Sequence, residues 1–177
     1  MALNATIYKV TVHLSDFNNS RFENLSLTVA LHPSETISRM IARILAYCFH
    51  ASNELEFTKG LSTPDCPDLW EINLQGDIVK WIEIGEPGFE KIKKACRYAD
   101  EVWVYSFNPK SSVWWQQSAE SFAALPVRVV QLEAAPLQAF ADAVTRTLTL
   151  NVSIVDGEIS LITDTTQCSL KFEVLQG

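Results

Sequence analysis

Residues 5–14, ATIYKVTVHL, set Ile7, Val10 and Val12 among polar neighbours, and 25–32, LSLTVALH, set Leu25, Leu27, Val29 and Leu31 at period two. The two runs predict an N-terminal β-hairpin around a polar turn, SDFNNSRFEN. The period then changes. In HPSETISRMIARILAYCFH (32–50), Ile37, Met40, Ile41, Ile44, Leu45, Cys48 and Phe49 follow i, i+3, i+4, i+7 spacing. That predicts a helix with Pro33 at its first position and Glu35 in its first turn. Glu35 and Arg39 stand at i, i+4, a stabilising charge pair.

LEFTKGL (55–61) predicts a short strand, and the turn-rich STPDCPD follows. DLWEINLQGDIVKWIEIG (68–85) predicts two strands joined near Gln75-Gly76-Asp77, closed by a turn at Glu86-Pro87-Gly88. A helix, FEKIKKACRYA (89–99), and an almost wholly apolar strand, EVWVYSFN (101–108), come next. Beyond them the pattern predicts a helix at 113–125, a strand at 127–133 and a helix at 136–147 opened by Pro136. A hairpin turning at Asp156-Gly157 (148–162) and a last strand at 168–175 complete the chain. No repeat or linker interrupts it, so one α/β domain over 1–177 is expected, with a mixed sheet and hairpins at both ends.

With 47% hydrophobic residues the chain has the makings of a sizeable core and is not disordered. The net charge of −7 sets an unfavourable mean field for a polyanion, so nucleic acid would need a local basic patch or bridging cations. Cys48, Cys66, Cys96 and Cys168 show no CxxC spacing, and His13, His32 and His50 no ligand spacing. The N-terminal stretch lacks a signal-peptide core and no apolar run is long enough for a membrane span. A soluble cytoplasmic protein with reduced thiols, making no membrane contact, is the expectation. There is no Walker loop, GxSxG or dinucleotide-binding turn. Trp114-Trp115 before Gln116-Gln117 could stack bases, although core packing is the commoner fate of such aromatics.

The chemistry concentrates at 68–95. Glu83 is an acid inside an apolar strand, where a bare carboxylate is costly unless paired or bound to metal. A hairpin turning at 75–77 would put Asp68 across from position 84, near Glu83, and a divalent cation is the usual means of holding two such acids ionised. The following helix carries Lys91, Lys93, Lys94 and Arg97 against Glu90, a local charge of +3. An ion pair at Glu83 and a solvated charged helix face are the plain alternatives.

Pro67-Asp68, Glu83 and the lysine helix resemble the PD-(D/E)xK nuclease signature, and the order of elements over 33–108 resembles that superfamily's restriction-endonuclease-like αβββαβ core. A closer resemblance, over nearly the whole chain, is to the YaeQ family of bacterial proteins. It rests on MAL-ATIYK at 1–9, HPSET with RM at 32–40, FTKGL at 57–61, WIEIG-P at 81–87, IKKA at 92–95 and WWQQ at 114–117. The resemblance implies a nuclease-like fold, with Asp68, Glu83 and Glu35 as acids for Mg²⁺. Its lysine would come from the helix, because Gly85 stands where the signature has lysine. The family pattern points to Lys94, a helical wheel to Lys93. Two functions follow from the resemblance: a Mg²⁺-dependent phosphodiesterase acting on nucleic acid, or a non-catalytic binding or regulatory protein with a protein partner.

Overall fold

Strict alternation decides the first strands. Tyr8, Val10, Val12 and Leu14 are buried while Lys9, Thr11 and His13 are exposed, so one face of a long strand is committed to a core. The computed structural model describes residues 3–177; the first two residues of the MAL-ATIYK motif lie outside it. The chain divides into two compact units, taken here in turn.

The first unit takes the chain up to Phe49 together with Glu133–Phe172. Strand β1 (Thr6–Asp16) pairs antiparallel with β2 (Arg21–Leu31), with Val10 opposite Leu27 and Tyr8 opposite Val29. The turn is four residues long, shorter than the pattern suggested. Buried Asp16 closes it by accepting from the backbone and side-chain nitrogens of Asn19, at 3.1 and 2.8 Å. On its other side β1 pairs parallel with β8 (Thr147–Val155), which turns at Asp156-Gly157 into β9 (Glu158–Ile162), and β9 pairs antiparallel with β10 (Gln167–Gln176). Helix α1 is Ile37–His50. It starts later than Pro33 suggested because Thr36 caps it: Thr36 Oγ1 accepts from Arg39 N–H at 3.2 Å. Glu35 instead turns back, its N–H bonding His32 O at 2.8 Å. Every residue from Met40 to Ala46 is buried. Cys48, fully buried, has its thiol pushed up to about 12 by burial and by Asp16, so it stays a protonated packing residue. Helix α4 is Ala134–Ala141, with Pro136 in its first turn and its end well short of 147.

The second unit is His50–Leu132 with Glu173–Gly177. Strand β3 is only Leu55–Phe57, because a 3₁₀ turn, Gly60–Ser62, interrupts the expected strand. Then come β4 (Leu69–Ile72), β5 (Ile78–Ile84), α2 (Phe89–Tyr98), β6 (Ala99–Ser106), α3 (Ser111–Phe122) and β7 (Val127–Leu132). Strands β5, β6 and β7 are parallel, while β4 runs antiparallel to β5 and β3 to β4. The class is therefore α/β with mixed pairing, as expected. Both faces of β5 are apolar because both are covered. Trp81 joins Val102, Val104, Val127 and Val129 in a core closed by Ile92 and Ala95 of α2 and Phe122 of α3. Among the described residues no helix is long and apolar enough to cross a membrane.

Candidate functional site

Alternation along β5 sends Trp81 and Glu83 to the helix-covered face, where both are buried. Glu83 has two partners there. Trp81 Nε1 donates to Oε1 at 2.9 Å, and Lys91 Nζ, from the first turn of α2, donates to Oε2 at 2.9 Å. Burial pushes the Glu83 carboxyl above its ordinary range; Lys91 opposes the shift and nearby Asp68 adds to it. The two acids are thus electrostatic neighbours, as the hairpin reading required.

Their register differs from the simple hairpin count. Leu69 lies opposite Ile82, and the ladder shifts between Glu71 and Ile72. Asp68 N–H bonds Ile82 O at 3.0 Å, and its Oδ2 accepts from Ile84 N–H at 2.8 Å. Asp68 is 3% exposed. The Gly60 turn passes beside it: a Cβ on Gly60 would lie 3.5 Å from Asp68 Oδ1.

The lysine at Glu83 is neither Lys93 nor Lys94. Lys94 pairs at 3.1 Å with Asp65, both exposed, and Lys93 lies over the Phe89 ring at 5.7 Å from its centroid. Lys91 stands one turn before buried Ala95, on the flank of the helix nearest the strand end, a spacing visible in the sequence. Gly85 has φ +120°. A lysine there would be strained, so the backbone itself explains why the signature lysine is missing.

Glu35 lies in the first unit, in a different setting. Arg43 Nε and Nη2 donate to its two oxygens at 2.8 Å each, Arg39 Nη1 donates at 3.1 Å, and His32 N–H at 3.2 Å. The i, i+4 pair is present, but the carboxylate is wrapped in guanidinium groups. Among the described residues no three His, Cys, Asp or Glu side chains form a group that could hold a metal.

Glu86, read from sequence only as a turn residue, is a polar hub. Its Oε1 accepts from the N–H groups of Phe107 and Asn108 and from Ser111 Oγ, and its Oε2 from Asn108 Nδ2. Trp114 Nε1 adds a bond to Pro87 O at 3.1 Å. Trp114 and Trp115 pack edge-on against Phe122, 5.7 and 6.0 Å between centroids, so they are core-packing residues.

On the opposite face of β6, Tyr105 Oη lies 2.6 Å from His50 Nε2. Burial holds the Tyr105 phenol well above its ordinary 10.0. The folded chain thus keeps this proton more tightly than the unfolded one. The stability it contributes is complete below about pH 10, the ordinary value, and is lost as pH rises through the raised folded value. Alkaline titration followed by circular dichroism should show unfolding in that range, and Tyr105→Phe should move the midpoint upward. Equal midpoints would refute the assignment.

The YaeQ protein family model matches residues 1–172. The chain belongs to the YaeQ family. YaeQ of Escherichia coli (strain K12) is 44% identical over 169 residues, covering 93% of this chain and 92% of that protein. YaeQ of Salmonella typhi is 43% identical over 166 residues, covering 91% and 90%. The crystal structure of YaeQ from Xanthomonas axonopodis pv. citri is similar with TM-score 0.94 at 33% identity, covering 98% of this chain and 99% of that one. That of YaeQ from Pseudomonas syringae gives 0.92 at 29%, covering 98% and 97%. The YaeQ match includes Glu35, Asp68, Glu83, Glu86 and Lys91.

Proposed function

We propose that this YaeQ-family chain is a metal-dependent phosphodiesterase of the PD-(D/E)xK type acting on nucleic acid, with Asp68 and Glu83 as its acids and Lys91 as its lysine. One observation carries the reading: two buried, mutually repelling carboxylates at a strand end share one lysine, 2.9 Å from Glu83. The order α1, β3, β4, β5, α2, β6 along the chain supports the restriction-endonuclease-like comparison. The donor set fits Mg²⁺, which takes one or two carboxylates and completes its shell with water and phosphate oxygens. Asp68 and Glu83 would hold the ion, which when bound supplies Lewis-acid polarisation of a phosphoryl oxygen. Ile84 N–H fixes Asp68, and Trp81 Nε1 fixes Glu83. The Lys91 ammonium, on a half-exposed stem, is the group free to turn toward a phosphate oxygen or the attacking water. The exposed lysines of α2 supply the local positive charge that a −7 chain needs near a polyanion.

The same ion pair favours a second reading, a non-catalytic binding or regulatory protein, because Lys91 already neutralises Glu83. Calorimetric titration with Mn²⁺ and cleavage assays on single- and double-stranded DNA and RNA separate the two. Glu83→Gln and Lys91→Met are each expected to reduce cleavage by about a hundredfold or more, with Lys94→Met close to wild type. No Mn²⁺ binding at millimolar concentration, or cleavage that survives Glu83→Gln, defeats the catalytic reading.

A further inference from the structure

Ser106 Oγ is the one buried side-chain nitrogen or oxygen among the described residues without a hydrogen-bond partner, and Ser106 is 0% exposed. A buried hydroxyl left so is costly and calls for a reason. Its position supplies one. In the parallel β5–β6 pair Glu83 lies opposite Val104 and Ile84 opposite Tyr105. Ser106, two residues after Val104, therefore faces the same side of the sheet as Glu83, one step nearer the carboxyl ends of the strands. Carboxyl ends of parallel strands are where ligands bind in α/β sheets. The strand-end residue beside it, Gly85, is buried, yet a Cβ built there would meet no heavy atom within 4 Å. Room, a pair of acids and an unused donor coincide.

We infer that Ser106 is a positioning residue of the Asp68–Glu83 site, its hydroxyl donating to a ligand oxygen held there: a metal-bound water or a phosphoryl oxygen. The inference rests on the metal-site reading above. Ser106 Oγ is closed off as the site stands, so ligand entry requires side-chain movement.

The test uses the full chain, wild type, Ser106→Ala and Ser106→Thr. Mn²⁺ alone and inorganic phosphate in the presence of Mn²⁺ are titrated calorimetrically, and the Tm of the metal-free proteins is measured. Ser106→Ala is expected to bind roughly three- to tenfold more weakly, the fold-change of one hydrogen bond, with Ser106→Thr restoring affinity. Weakening of Mn²⁺ itself identifies the water; weakening of phosphate alone identifies the phosphoryl oxygen. The metal-free Tm of Ser106→Ala should equal or exceed wild type, since the lost hydroxyl had no partner. Wild-type affinity in both arms, or a lower metal-free Tm, overturns the role of Ser106 while leaving the metal site standing. Failure of the wild-type protein to bind Mn²⁺ removes the site and this inference together.

Discussion

Glu35→Ala should lower folding stability by about 3–5 kcal/mol, the cost of stripping one partner from a buried ion pair. Arg43 and Glu35 have side-chain exposures of 4% and 2%, so solvent screens the pair little. Without Glu35, Arg43 keeps its bond to Ala30 O but remains a buried cation with no counter-charge. Urea denaturation checks the size of the loss. Glu35→Ala combined with Arg43→Met should recover much of it, because the double change removes the uncompensated charge as well. A loss under about 1 kcal/mol would place the pair with weak surface bridges. Unchanged stability with weakened Mn²⁺ binding would return Glu35 to the metal site that the sequence resemblance implied.

Glu86→Ala is the second large loss, about 3 kcal/mol, since several donors lose their acceptor at once. Ser111 is 0% and Phe107 5% exposed, so water replaces the missing oxygens poorly. Glu86→Gln keeps one acceptor oxygen and should cost roughly half as much. Hydrogen exchange offers a local check: the amides of Phe107 and Asn108 should lose protection before those of β1. Equal protection in Glu86→Ala would mean that the hub contributes little.

The elements that strict periodicity defines were legible in the sequence. The β1–β2 and β8–β9 hairpins, the buried stripe of α1 and the two-sided burial of β5 all follow from hydrophobic spacing. Helix starts were not, because local hydrogen bonds decide them: Thr36 caps α1 and Glu35 bends back to His32. Of the site, Asp68 and Glu83 were found as neighbours, since two acids bracketing an apolar hairpin are conspicuous. Their exact register was hidden by the ladder shift after Glu71, which no propensity marks. The lysine was misplaced because a motif spacing and a helical wheel both ignore where the helix begins relative to the strand. Glu86 escaped notice because its partners lie 21–25 residues away, across a strand and a loop.

Only three residues, Glu86, Pro87 and Gly88, separate the residue after β5 from α2. Each residue of an α-helix advances it by about 100°. An insertion in this turn would therefore rotate the helix by more than a quarter revolution against an unchanged strand. Lys91 would leave Glu83, and Ile92 would leave the core, in the same event. Glu86 and the Trp114 bond to Pro87 anchor the turn at both ends, so its length works as a phase lock between fold and site. Evolution or engineering can change the lysines of this helix one by one, but not the count of residues that precede it.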